Sequence, residues 1–96
     1  MYIVVSTWNI VDGKSEAAQH LGREMRARLR AVDGIELIEH FESGSEVVVI
    51  VCYRDESTYR QIIEDPDGVF HKGLAELDLE SAMTWKQSWR GEAVPH

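Results

Sequence analysis

Glu46-Val47-Val48-Val49-Ile50-Val51-Cys52-Tyr53 reads as a strand that is apolar on both faces. Successive side chains of a strand point to opposite sides of the sheet, so a half-solvated strand alternates apolar and polar residues. Here Val47, Val49, Val51 and Tyr53 form one line, while Val48, Ile50 and Cys52 form the other. Both lines need cover. The chain supplies enough helix for one side only, which predicts a second copy of the chain over the other.

Upstream of this run, Tyr2 to Ile10 reads as a strand rich in β-branched and aromatic residues. Asp12-Gly13-Lys14-Ser15 is a turn, with Ser15 as the expected N-cap of a helix from Glu16 to about Val32. Ala18, Leu21, Met25, Leu29 and Val32 recur there at helical spacing, and Asp33-Gly34 ends the segment. A strand over about Ile35 to Glu42 places Ile35, Leu37, Glu39 and Phe41 on one face. Glu36, Ile38, His40 and Glu42 fall on the other, a half-polar face suited to a sheet edge or a wet cavity. Ser43-Gly44-Ser45 turns the chain into the apolar run.

Downstream, a helix from about Asp55 to Ile63 is interrupted at Asp65-Pro66-Asp67-Gly68 and resumes to about Leu77. A final strand over about Glu80 to Arg90 carries Met83, Trp85 and Trp89 on one expected face, and a mobile tail is expected over 91–96. The order β-α-β-β-α-β predicts an α+β, ferredoxin-like fold: one antiparallel sheet with both helices on one face. The uncovered face, holding half of the Val47–Tyr53 run and either Ile3 and Val5 or Tyr2 and Val4, is an expected association surface. Pairing sheet to sheet about a two-fold axis closes it most simply.

Composition narrows the class. Ninety-six residues make a single domain, 1–96, with one modest core. Ten Lys+Arg against 17 Asp+Glu give a net charge of −7, the wrong sign for nucleic acid or an anionic membrane surface. No apolar run reaches the ~18 residues of a membrane span, and no signal-peptide pattern is present, so the expected compartment is the cytoplasm. The single Cys52 has no internal disulfide partner and is expected to be a small core residue.

The pattern resembles the dimeric α+β barrel superfamily, in particular its antibiotic biosynthesis monooxygenase-like branch, over nearly the whole chain. The likeness rests on Val11-Asp12-Gly13-Lys14 after strand one and Val32-Asp33-Gly34-Ile35 between helix one and strand two. It rests also on Phe41-Glu42 before the hairpin and Tyr53-Arg54-Asp55-Glu56 between strand three and helix two. The resemblance implies a homodimer with a pocket between sheet and helices. Relatives include cofactor-independent oxygenases of quinol-like aromatics, haem-degrading enzymes and members without known activity. Haem degradation in that family uses an asparagine on strand one and a tryptophan and a histidine on helix two. Ser6 stands at the first position here and Ile62 at the second, and only His71 matches.

Several residues carry candidate chemistry. His71 borders the Phe70, Leu74 and Leu77 stripe of the last helical segment, where it is the expected base; bonding to a carbonyl or to water is its structural alternative. The resemblance implies that Trp8 and Ser6 look towards the helices, so an indole and a hydroxyl could stack on and orient an aromatic substrate. Tyr59 is the second expected wall, with ordinary core packing the alternative. Trp85 and Trp89 are expected in the core or the dimer interface, with pocket walls the alternative. His40, Glu36 and Glu42 spread over about 20 Å of straight strand, too far to converge on one metal ion. Arg23, Arg26 and Arg30 form a stripe expected to pair with the many carboxylates.

No phosphate loop, nucleophile elbow or Cys-x-x-Cys is present. The leading expectation is therefore a homodimeric, cofactor-independent monooxygenase of a small aromatic or apolar molecule, with His71 and Ser6 catalytic and Trp8 and Tyr59 substrate-binding. The alternatives are a non-catalytic module that binds a small ligand in the same pocket, and a structural dimer whose pocket is filled by its own side chains.

Overall fold

The Val47–Tyr53 run forms the interior of the sheet, because it is the part of the chain that tolerates no water on either side. The structure is a computed structural model that describes residues 1–95; His96 lies outside the described residues. The elements are β1 (Tyr2–Ile10), α1 (Ser15–Arg30), β2 (Ile35–Ser43), β3 (Glu46–Tyr53), α2 (Glu56–Glu64), α3 (Val69–Glu76) and β4 (Met83–Glu92), with a short 3-10 turn over Leu79–Ser81. One four-stranded antiparallel sheet has the order β2-β3-β1-β4, the ferredoxin-like arrangement, with the second helix divided into α2 and α3. β3 and β1 are central, and the half-polar β2 is an edge strand.

The helix boundaries follow local chemistry. Asp55 caps α2, its carboxylate accepting from the Thr58 backbone N–H and hydroxyl, each at 2.7 Å. Those two bonds hold the Asp55 carboxyl below the usual carboxylate range. α1 begins one residue earlier than expected: Ser15 is its first residue, Lys14 is the N-cap, and no side chain caps the end. After α1 the chain needs a left-handed residue to enter β2, and Gly34 supplies it at φ +95°. Pro66 lies in the break between α2 and α3, as the missing N–H of proline requires.

Two β-bulges correct the expected faces of the edge strands. On β2 the register shifts at Glu36, so Ile35 pairs with Tyr53 on the helix side while Leu37, Glu39 and Phe41 take the open side. On β4 the register shifts at Lys86, between Trp85 opposite Trp8 and Gln87 opposite Thr7. One extra residue reverses the alternation. Trp85 and Trp89, four residues apart and expected on one face, therefore stand on opposite faces. The strand also runs further than expected: Gly91 and Glu92 pair with Ile3 and Tyr2, and Ala93 N–H donates to the Met1 carbonyl at 2.9 Å. The mobile tail expected over 91–96 is thus in part ordered strand.

The core lies between the sheet and the helices, where Tyr2, Ile38, Val47, Val51 and Tyr53 meet Ala18, Met25 and Leu29 of α1. On the other side the sheet carries Ile3, Val5, Val48, Ile50 and Cys52, with Leu37, Phe41 and Trp89 left 48%, 51% and 55% exposed. No helix covers that face. Cys52 is buried there, and desolvation pushes its thiol pKa up, as befits an unreactive core thiol. Thr7 is buried on the same face with its hydroxyl unpartnered among the described residues. No helix among the described residues is long and apolar enough to cross a membrane.

Candidate functional site

Beneath the helices the core does not close. A cavity of about 360 Å³ remains between the sheet and α1, α2 and α3, within the size range of small-molecule sites. Valines 4, 47, 49 and 51 make its floor, and Met25, Leu29, Phe70 and Leu74 make its roof. Arg26, Tyr59 and Glu80 reach it from outside the sheet, and the sheet register places its other polar groups in order. Reading across β2, β3, β1 and β4, His40 lies opposite Val49, Val49 opposite Ser6, and Ser6 opposite Ser88. The next row is Glu42, Val47, Trp8 and Trp85, and the row on the other side is Ile38, Val51, Val4 and Arg90. One transverse line of the floor carries the imidazole and both serine hydroxyls, between a row with two indoles that begins at Glu42 and an aliphatic row that ends at Arg90.

Both serines are held by a tryptophan. The Trp8 indole N–H donates to Ser6 Oγ at 3.0 Å, and the Trp85 indole N–H donates to Ser88 Oγ at 2.8 Å. The first bond joins residues i and i−2 of a regular strand. The second joins residues three apart, possible only because the Lys86 bulge returns Ser88 to the face of Trp85. Trp85 is 58% exposed and forms the rim.

His40 is half-buried on edge strand β2, with Nε2 towards α1. Gly22 of α1 faces it: a Cβ at that position would lie 3.8 Å from the ring nitrogen, at ordinary contact. Desolvation pushes the imidazole below the usual histidine value, and the Arg26 guanidinium pushes it further. Glu39 opposes this, with smaller effects from Arg23 downwards and Glu42 upwards. The ring is therefore neutral at pH 7 and keeps one nitrogen free to accept a proton. Tyr53 behaves oppositely: burial, with Tyr59 beside it, raises its phenol far above neutrality and keeps it protonated.

Of the residues expected to form the site, Ser6, Trp8 and Tyr59 line the cavity together. Tyr59 also packs on Tyr2 and Tyr53, with ring centroids 5.1 and 5.2 Å away. His71 does not join them. Phe70 and Leu74 take the cavity side of α3, while the exposed His71 ring turns back over the break and places Nε2 2.6 Å from the Ile63 carbonyl. A nitrogen spent on a carbonyl in this way stitches α3 to α2, the carbonyl-bonding alternative to its role as base.

The cavity also holds His40, Ser88 and Trp85, which the expected site does not include. For His40 the signal was present, in the half-polar line of β2 and its fit to a wet cavity. For Ser88 and Trp85 the bulge decides, and nothing in Lys86-Gln87-Ser88 marks it. Of the arginine stripe, Arg26 and Arg30 are tied to Glu39 at 3.5 and 3.4 Å, and the neighbouring Arg28 to Glu76 at 2.9 Å, while Arg23 has no ion pair among the described residues. Such exposed pairs contribute at most about 1 kcal/mol each. Glu36 is bulged away from His40 and Glu42, and no cluster of three His, Cys, Asp or Glu side chains forms among the described residues.

No protein-family model matches the chain, and no curated protein sequence matches it. Solved structures do. SnoaB, a cofactor-independent oxygenase from Streptomyces nogalater, superposes with a TM-score of 0.75 over 99% of this chain and 95% of its own, at 14% identity. Rv0793 from Mycobacterium tuberculosis does so at 0.78 over 99% and 96%, with 18% identity. A further antibiotic biosynthesis monooxygenase matches at 0.74 over 99% and 100%, with 17% identity. Identities this low speak to architecture, and the architecture agrees along the whole length. The chain shares the ferredoxin-like α+β fold of these solved structures, SnoaB and an antibiotic biosynthesis monooxygenase among them.

Proposed function

We propose that this protein is a small-molecule enzyme that oxygenates an electron-rich, quinol-like aromatic in the cavity without a cofactor, with His40 as the base. The observation that carries this reading is a half-buried imidazole that shares one cross-strand row with two serine hydroxyls on the floor of the cavity, where burial lowers its affinity for a proton. The SnoaB likeness raises its standing by analogy only. Trp8, Trp85 and Tyr59 offer flat walls for a ring, and the aliphatic floor and roof keep water away from it.

The chemistry suits these groups. An anthrone-type CH₂ gives a proton to His40, and its carbanion is stabilised when charge moves to the ring oxygen. The carbanion passes one electron to dioxygen, and the radical pair joins to form a C–O bond. Loss of water leaves a C=O in place of the CH₂. One dioxygen is consumed per substrate, one of its oxygen atoms entering the product and the other leaving as water. The substrate carbon is oxidised and dioxygen is reduced, so no further reductant is needed. The role assigned to His71 from the sequence passes to His40, because His71 lies outside the cavity lining.

A second copy of the chain is the proposed cover of the open sheet face, whose exposed Leu37, Phe41 and Trp89 adjoin Ile3, Val5, Val48 and Ile50. A cavity above ~300 Å³ favours a site that holds a ligand over one filled by its own side chains. The test is oxygen consumption with a panel of anthrones and hydroquinones. Protein-dependent uptake of one dioxygen per substrate is expected. Binding of the panel without uptake would leave the non-catalytic alternative.

A further inference from the structure

We infer that Ser6 and Ser88 together form a two-donor cradle for a single ligand oxygen, so that the cavity selects aromatic ketones and the enolates or phenolates derived from them over oxygen-free aromatics of the same shape. This rests on reading the cavity as an aromatic site, and it names what that site recognises. The two residues are direct cross-strand neighbours on the helix side of the sheet, which sets their Cα atoms about 5 Å apart. Both line the cavity.

A serine hydroxyl has one proton to donate and two lone pairs to accept with. In each serine one lone pair is taken by an indole N–H, from Trp8 or Trp85. The donor proton of each is left over, because among the described residues neither Oγ donates to a protein acceptor. The indole bonds also fix the hydroxyls' direction, since an oxygen that accepts on one side presents its own proton elsewhere. Two such protons on adjacent strands converge on an acceptor that bridges them, and a carbonyl or enolate oxygen has lone pairs for both.

The bulge argues that the pairing is built. Without the extra residue at Lys86, Gln87 would stand opposite Ser6, and Ser88 would point to the open face. Bulges re-aim side chains in this way beside sites. His40 is two strands away in the same row, about 10 Å across the floor. A hydrogen bond of ~2.8 Å at the serine end and a similar reach at the imidazole leave space for one ring between them. An oxygen held at the serines thus presents the opposite ring position to the base. Trp85 acts here as a positioning residue.

The test compares two probes of one shape and charge, anthraquinone-2-sulfonate and anthracene-2-sulfonate, by calorimetric titration of the whole chain. The shared sulfonate makes any contribution of Arg26 and Arg90 common to both. Two neutral hydrogen bonds predict that the quinone binds about tenfold or more tightly than the hydrocarbon. In the Ser6→Ala/Ser88→Ala variant the ratio of affinities falls to about one. Trp85→Phe keeps the stacking surface but frees Ser88, and lowers the ratio part of the way. Equal affinity of the unaltered protein for the two probes overturns the cradle while leaving an aromatic cavity standing. A preference that survives the double substitution overturns it as well. Binding of neither probe overturns the aromatic reading of the cavity, and the cradle with it.

Discussion

The two faces of the sheet share every strand, and they differ in what the chain does with them. On the helix side, Val47, Val49 and Val51 lie under α1, α2 and α3, and the helices stop short of filling the space. On the open side, Val48 and Ile50 lie beside exposed aromatic and aliphatic residues with nothing above them. The helix side gathers His40, Ser6 and Ser88 into one transverse row with a cavity to face. The open side is mostly apolar, with Thr7, Glu39 and Gln87 scattered among its aliphatic and aromatic residues. A surface meant for association needs shape and apolar area, whereas a site needs a few placed donors and acceptors in an apolar frame. The same β3 serves both because its two lines of side chains are independent.

Changes on one face should therefore leave the other in place, and four substitutions test that separation. The largest effect is expected from Ile50→Asp, which sets a carboxylate in the middle of the open face. Burying it against a second copy is costly, so light scattering should find the mass falling from a dimer to that of the 11.0 kDa chain. Next is Asp55→Ala, which removes the cap of α2 on the helix side. The folded carboxyl lies below its ordinary value, so its contribution is present above about pH 3.9 and is lost as the pH falls through the folded value. The variant should melt below the unaltered protein at pH 7, with the gap closing in acid.

Gly22→Ala is a smaller change of opposite sign. Its Cβ meets His40 and Met83 only at ordinary contact, 3.8 and 3.9 Å. Replacing a glycine inside a helix should then raise stability by about 0.5–1 kcal/mol in urea titration. Thr7→Val on the open face is of the same sign and similar size. The buried hydroxyl there has no partner among the described residues, so replacing it with a methyl should raise stability by about 1 kcal/mol. A loss of stability instead would mean that a second copy supplies Thr7 with a bond.

Much of this architecture is legible in the residues. The double-sided apolar run of β3 and the stop at Pro66 are local signals, each with one physical reading. The grouping on β1 is legible too, since Tyr2, Val4, Ser6 and Trp8 stay in strict alternation, although only the family resemblance turns that line towards the helices, where it ends. What resists reading is whatever depends on one residue more or less. The bulges at Glu36 and Lys86 exchange faces for everything on one side of them, and the polar residues at both places fit either register. Trp85, Ser88 and Trp89 were therefore open to misplacement. His71 shows a second limit. Helical phase puts it at the border of the core, but the direction of a border side chain is decided by the nearest unsatisfied group, here the Ile63 carbonyl.

The most direct measurement is the pH dependence of protein-catalysed oxygen uptake with an anthrone, for the unaltered chain and for His40→Asn, each corrected for the uncatalysed reaction. His40 titrates below the ordinary histidine value because of burial and Arg26, against the pull of Glu39, and it acts as a base only when neutral. The rate should rise with pH through an inflection below about 6.5 and stay level above it. In His40→Asn it should fall by about a hundredfold or more with that inflection gone. An unchanged rate and profile in the variant would contradict the assignment of the base, and with it the division of labour between the two faces.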